Sequence, residues 1–222
     1  MEKKCVLLCS GGMDSTVLLW QLVAEGYQIL PLGVDYGQKH RKELEAARII
    51  CKKIGLELQV ADLTSITKLL SGSSLISDGI DVPSGHYTDE SMKSTIVPNR
   101  NMLMLSIASA WAISGKAKMV AYAAHAGDHA IYPDCRPEFV SALSQAIALC
   151  DWHTVDLHAP FLRMSKGEIC ELGISLDAPL GETWSCYRGA EKHCGRCGTC
   201  IERKEAFSKA AVVDPTSYEN LA

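Results

Sequence analysis

Residues 4–15 read Lys-Cys-Val-Leu-Leu-Cys-Ser-Gly-Gly-Met-Asp-Ser, and the fold follows from that stretch. Positions 4–9 are an apolar run halted by Ser-Gly-Gly, which predicts a strand buried on both faces. From Asp14 onward Val17, Leu18, Leu22 and Val23 recur at helical spacing, and Gly26 closes the helix. A buried strand that passes through a glycine turn into a helix is the first unit of a parallel α/β sheet. In such a sheet this junction lies at the carboxyl ends of the strands, where ligands bind. Gly11 and Gly12 let the backbone approach an anion and present N–H groups. The helix N-terminus adds its positive end, and Ser10 and Ser15 offer hydroxyls. Asp14 can cap the helix or help to hold a magnesium ion. No Gly-Lys-Ser/Thr follows, so this is not a Walker loop, and a third glycine at dinucleotide-fingerprint spacing is absent.

The alternation continues outward from the loop. Residues 29–34 predict a second strand. Residues 39–54 predict a helix with Leu44, Ala47, Ile50, Cys51 and Ile54 on one face and Gly55 as its stop, and 56–61 a third strand. Residues 71–95 are rich in Ser, Gly and Asp without a period, and predict a long loop of the kind that is functional or mobile. Beyond it come a strongly apolar helix over 101–115, a strand over 119–124 and a helix over 137–150. Ser165-Lys166-Gly167-Glu168 has the form of a capping box opening a short helix that ends at Gly173. The pattern predicts an α/β fold with a doubly wound, mostly parallel sheet.

Ten cysteines in 222 residues raise the question of redox compartment. Cys5, Cys9, Cys51, Cys135, Cys150 and Cys170 are scattered through apolar or helical patterns, whereas Cys186, Cys194, Cys197 and Cys200 crowd into fifteen residues. Scattered cysteines read as small buried hydrophobes and clustered ones as metal ligands. Four thiolates on Cys-x-x-Cys turns, eased by Gly195 and Gly198, suit a closed structural zinc site, followed by a helix over 199–210. Arg188, Lys192, Arg196, Arg203 and Lys204 surround it, and His193 adjoins it as a further potential ligand. Disulfides or a redox Cys-x-x-Cys are the competing reading. The first apolar run is too short for a signal-peptide core, and no stretch approaches the ~20 apolar residues of a membrane span. These features predict a cytoplasmic protein. A net charge of −4 gives no general attraction to nucleic acid.

Ser10-Gly11-Gly12-Met13-Asp14-Ser15 resembles the pyrophosphate loop of the ATP pyrophosphatases, which split ATP between the α and β phosphates. Three further segments accompany it and the four-cysteine knuckle: Asp35-Tyr36-Gly37-Gln38-Lys39-His40, Val97-Pro98-Asn99-Arg100-Asn101 and Tyr132-Pro133-Asp134-Cys135-Arg136-Pro137-Glu138-Phe139. In that order, over nearly the whole chain, the combination resembles the 7-cyano-7-deazaguanine synthases of queuosine and deazapurine biosynthesis.

The resemblance implies an adenine nucleotide α-hydrolase-like domain over 1–180 and a zinc-binding segment over 181–222 packed on it. ATP would be held by Leu8, Cys9, Ser10, Gly11, Gly12, Met13, Asp14, Ser15, Thr16, Val17 and Leu18, with Mg2+ as its partner ion and structural zinc on Cys186, Cys194, Cys197 and Cys200. The implied substrates are 7-carboxy-7-deazaguanine and free ammonia, the assembly a homodimer, and neither nucleic acid nor membrane is a partner. Lys166, Arg100 and Arg136 are the candidate catalytic cations, Lys166 foremost. Arg100 sits at the unfavourable end of a helix dipole and so calls for an anionic partner. Asp134 or Asp128 would read the guanine-like edge. His125, beside Asp128, is a base, a metal partner or part of the substrate pocket. Cys135 reads as a packing or pocket-lining thiol, and Trp184 as a core aromatic or a stacking platform. The competing functions are a tRNA-modifying ATP pyrophosphatase of thiolation or lysidine type, and a non-catalytic zinc-dependent nucleic-acid module.

Overall fold

The computed structural model describes residues 3–70, 72–77, 79–86 and 90–219; positions 71, 78 and 87–89 of the expected long loop lie outside them. Among the described residues the chain forms a five-stranded sheet in the order β3-β2-β1-β4-β5, parallel throughout. The first strand, β1 (Lys4–Leu8), lies at its centre. On one side stand β2 (Gln28–Asp35) and β3 (Gln59–Asp62), on the other β4 (Met119–Ala121) and β5 (Asp156–His158). Cys5 is in register with both Ile29 and Met119.

Strand β1 is apolar at every inner position because both of its faces are covered. Cys5, Leu7 and Cys9 enter one core with α1 (Met13–Ala24), α2 (Lys42–Lys53), α5 (Lys166–Ser175) and α6 (Gly198–Lys209). Val6 and Leu8 enter the other, with α3 (Arg100–Ser114) and α4 (Pro137–Ala148). That is the period-two alternation of a strand between two helical layers. The chain winds outward from β1 through β2 to β3, then returns to β4 on the other side. A crevice therefore opens between the carboxyl ends of β1 and β4, at the switch point where such sheets bind ligands.

Several boundaries differ from the sequence expectation, each for a visible reason. Helix α2 starts at Lys42 rather than 39, because the Lys39 N–H bonds to the Leu75 carbonyl and its Nζ to the Ile80 carbonyl. Helix α5 runs past Gly173 to Ser175. That glycine is a point of close helix packing rather than a stop, since a Cβ there would lie 2.6 Å from Val17 Cγ2. The expected long loop over 71–95 is partly structured: a 3₁₀ turn over 90–95 buries Met92 and Thr95, and another, over 64–69, precedes the loop. Strand β5 was not foreseen, and β4 ends three residues early. Among the described residues no helix is long and apolar enough to cross a membrane.

The C-terminal segment is stitched to the α/β body. Ser84 pairs with Cys197 in an antiparallel bridge, and Arg188 donates to the Val82 carbonyl and to Ser84 Oγ. Arg203, fully buried, donates to Thr183 Oγ1, Ser185 Oγ, the Leu180 carbonyl and Asp214.

Candidate active site and thiolate cluster

The loop after β1 is held by its own hydroxyls. Ser15 Oγ and Thr16 Oγ1 donate to the Gly12 carbonyl at 3.2 and 2.8 Å, and Ser10 Oγ lies 3.1 Å from Ser15 Oγ. Gly11 has a φ of +81°, and a Cβ on it would stand 2.1 Å from the Glu43 carbonyl oxygen. Only glycine lets the start of α2 press so closely behind the loop. The loop opens into a cleft of about 230 Å³, lined from 8–18 by Leu8, Cys9, Ser10, Gly12, Met13, Asp14 and Ser15. Thr16, Val17 and Leu18 are buried beneath, in the first helical turns.

At the phosphate-loop end the cleft gathers charge. The ammonium of Lys166 ion-pairs with Asp14 and lies 3.5 Å from Glu202 Oε2 and 3.4 Å from His125 Nε2. Lys166 occupies the first turn of α5, fixed by the expected capping box: Ser165 Oγ accepts from the Glu168 N–H, and the Glu168 carboxylate accepts from the Ser165 N–H. Burial alone would discharge Lys166, but Asp14, Glu202 and Asp128 outweigh it and hold the ammonium charged well above its usual range. Burial likewise opposes the Asp14 charge, yet Lys166 and His125 hold that carboxyl below its usual range. Burial pushes the Glu202 carboxyl up, with Lys166 and His125 opposing.

His125 is almost wholly enclosed. Its Nδ1 accepts the Gly127 N–H at 3.0 Å. Nε2 lies 3.4 Å from Asp128 Oδ1, 3.9 Å from Glu202 and 4.0 Å from Asp14. The second carboxylate oxygen of Asp128 accepts the His125 backbone N–H. Asp14 Oδ1 is buried without a hydrogen-bond partner among the described residues. An unsatisfied carboxylate oxygen beside an anion-binding loop fits an oxygen-seeking cation such as magnesium.

The opposite end of the cleft is aromatic. Tyr36, Tyr132 and Tyr187 line it together with Arg100, whose guanidinium carbon lies 5.8 Å from the Tyr36 ring centre. Tyr132 Oη is 2.6 Å from Thr95 Oγ1 and 3.4 Å from Tyr187 Oη. Glu43, in the first turn of α2, also lines this end; burial pushes its carboxyl up to about 7, against the opposing charge of Arg100. Trp184 forms part of the rim, its ring 4.3 Å from that of His193.

Of the residues singled out in the sequence, the cleft therefore brings together Asp14, Lys166, Arg100, Asp128 and, just behind them, His125. It does not bring in two others. Asp134 Oδ2 accepts the Asn101 N–H at 3.1 Å and its carbonyl accepts Asn101 Nδ2, so this carboxylate caps α3. Arg136 is exposed ahead of α4, with Nε donating to the His129 carbonyl. Cys135 lines the wall, and burial raises its thiol far above the neutral range, as suits a packing group. The sequence reading missed Glu43, Glu202 and the tyrosines. A signal existed for two of them: Glu43 follows His40 by three residues in the motif-bearing turn, and Glu202 follows Cys200 by two.

The thiolate cluster lies behind Trp184. Cys186, Cys194, Cys197 and Cys200 are fully buried, and their sulfurs all lie within 4.8 Å of one another. Four thiolates around a tetrahedral zinc at ~2.3 Å stand about 3.8 Å apart, so the cluster fits that ion with little adjustment. Backbone N–H groups of Arg188, Cys194 and Cys197 point at the sulfurs at 3.3–3.4 Å, as thiolates require. His193 is not among these donors: its Nε2 accepts the Ser185 N–H.

A sequence model of the family described as "Queuosine biosynthesis protein QueC" matches residues 4–211. A 7-cyano-7-deazaguanine synthase of Hahella chejuensis is 51% identical over 221 residues, 100% of this chain and 95% of that one. One of Methanoregula boonei is 52% identical over 216 residues, 97% of this chain and 99% of its own. Among solved structures, an NMN synthetase from Francisella tularensis matches with a TM-score of 0.52 at 17% identity, over 80% of this chain and 63% of that one. A 4-thiouridine synthetase in complex with RNA and ATP matches with a TM-score of 0.50 at 16% identity, over 94% of this chain and 50% of its own. At such identities the structural likeness is one of fold.

Proposed function

The chain belongs to the QueC family of queuosine biosynthesis proteins, and from that premise we propose that its cleft uses ATP to convert 7-carboxy-7-deazaguanine and ammonia into 7-cyano-7-deazaguanine. The observation that carries this reading is the meeting, in one cleft, of an anion-binding loop, a charged lysine and a lining of three tyrosines. A substrate carboxylate oxygen attacks the α-phosphorus, and the bond to the β-phosphate breaks to release pyrophosphate. Ammonia then attacks the acyl carbon, and AMP departs with one carboxylate oxygen. The amide oxygen attacks a second ATP. Loss of two protons from nitrogen and departure of the second AMP leave the nitrile. One loop serves both activations, because each is attack by oxygen on the same phosphorus.

The chain's own groups supply charge and position. Lys166 meets the negative charge that builds on pyrophosphate, and Asp14, Glu202 and His125 fix where its ammonium points. Arg100, charged at the aromatic end, holds an anionic group of the bound ligands. Asp128 lines the cleft with His125 behind it, and the pair serves the heterocycle's carboxyl side. Magnesium, with Asp14 Oδ1 as a ligand, would neutralise phosphate charge. Zinc on the four cysteines would lock the C-terminal segment. The division at residue 180, free ammonia as the nitrogen source and a homodimeric assembly complete the proposal; they rest on the family resemblance.

The test is stoichiometric. With magnesium, ammonium and 7-carboxy-7-deazaguanine, two AMP and two pyrophosphate are expected for each nitrile released. One AMP per product, with the amide as end point, would contradict the proposal.

A further inference from the structure

Among the described residues the cleft is lined by the carboxylates of Asp14, Glu43, Asp128 and Glu202. Three of them are committed. Asp14 and Glu202 face the Lys166 ammonium, and Asp128 is bound to the His125 N–H. Glu43 stands in the first turn of α2, with no hydrogen-bond donor and no ion-pair partner among the described residues. Its surroundings are the Tyr36 and Tyr187 rings, on which its charge acts, and Arg100 across the slot. Its main chain is anchored from behind, since the Glu43 carbonyl sits against Gly11. The side chain is thus delivered to the slot by a rigid backbone, and it is not consumed by any protein contact.

We propose that Glu43 is the specificity-determining residue of the heterocycle slot, accepting two parallel N–H bonds from the N1–H and 2-amino edge of a guanine-type ring. The inference rests on the functional reading above and moves the edge-reading role away from Asp134 and Asp128. A carboxylate offers two acceptors side by side, which matches an edge with two adjacent donors. An adenine-type edge presents one donor beside one lone pair, and the lone pair would face the carboxylate. The same residue therefore accepts the substrate ring and keeps the base of ATP out of the slot, which a cleft that binds two purine-like rings must do. The elevated carboxyl of Glu43 fits this use, because a partly enclosed acceptor without donors gains when a ligand brings them.

The experiment compares two ligands and three proteins. The kcat/KM for 7-carboxy-7-deazaguanine is set against that for its analogue lacking the 2-amino group, in the unsubstituted enzyme, Glu43→Gln and Glu43→Asp. The unsubstituted enzyme should favour the full substrate by about 30-fold or more, as a charged hydrogen bond withheld from a built site implies. In Glu43→Gln that preference should collapse to about threefold or less, with the KM for ATP held within about twofold. Glu43→Asp, which keeps the charge with a shorter reach, should fall between, and it supplies the comparison should the glutamine protein fail to fold. An undiminished preference in both variants, or a loss carried by the KM for ATP, would overturn the role of Glu43 while leaving the reaction intact. Absence of turnover of the full substrate by the unsubstituted enzyme would overturn the functional reading itself.

Discussion

Lys166 and Asp14 lie 152 positions apart in the chain and in contact in the fold, and the cleft depends on that pair. Removing the ammonium leaves the carboxylates of Asp14, Glu202 and Asp128 without their shared cation, the one proposed above to meet pyrophosphate. Lys166→Met should lower kcat by at least about 100-fold, the scale of losing one preorganised charge in a shielded site. Single-turnover AMP release measures this, and a loss under threefold would remove Lys166 from the chemistry. Glu43 makes a prediction about pH. Its carboxyl lies near 7 in the folded protein against 4.5 in an unfolded chain, so the folded state holds the proton more tightly. The stability that Glu43 contributes should therefore fall as pH rises from 4.5 through 7, and in thermal melts at fixed ionic strength Glu43→Gln should lose less stability over that range than the unsubstituted protein. A slope unchanged by the substitution would contradict the upward shift of this carboxyl. At this scale the sequence was half legible. Tyr132, Asp134 and Arg136 stand in one short run, yet a 3₁₀ turn over Pro133–Cys135 sends them to the cleft, to the cap of α3 and to solvent. Proximity in sequence does not specify direction where each residue turns the chain by about a third of a circle.

Helices and loops show the same division. The loop after β1 and the capping box of α5 were legible because each is a local device, whose residues bond to their own neighbours. Gly173 was not, because its role is set by Val17, which is remote in sequence. Strand β5 escaped because three residues are too few to show a period. The loop itself yields a sharp test. Gly11→Ala would place a methyl 2.1 Å from the Glu43 carbonyl at a φ of +81°. The cost should be at least about 2 kcal/mol from strain and displacement of α2. Denaturant melts should show it, and adenylation should fall with it; a neutral effect would mean that α2 does not press on the loop. Ser165→Ala removes one bond of the capping box and should cost only about 1 kcal/mol.

On the scale of the whole molecule, the thiolate cluster and the candidate cleft are joined through α6. Cys197 caps that helix, Cys200 is a sulfur of the cluster, Glu202 faces Lys166 and Arg203 secures residues 180–185 beneath the rim. Structural zinc contributes about 10–16 kcal/mol of binding free energy, most of it spent on ordering the segment that holds it. Chelation should therefore lower the Tm and abolish activity together. Loss of activity at an unchanged Tm would place the metal in the chemistry instead. The doubly wound sheet and the four thiolates were legible from spacing alone, whereas the bond between them was not, because it passes through side chains that belong to neither motif.

The central claim is that both oxygens of the substrate carboxylate leave on AMP, one in each activation. The measurement that meets it most directly is turnover of 7-carboxy-7-deazaguanine labelled with ¹⁸O at both carboxylate positions, with mass analysis of every phosphorus-containing product. The account predicts one labelled oxygen in each AMP and none in pyrophosphate. Label in pyrophosphate or in solvent water, with unlabelled AMP, would contradict it.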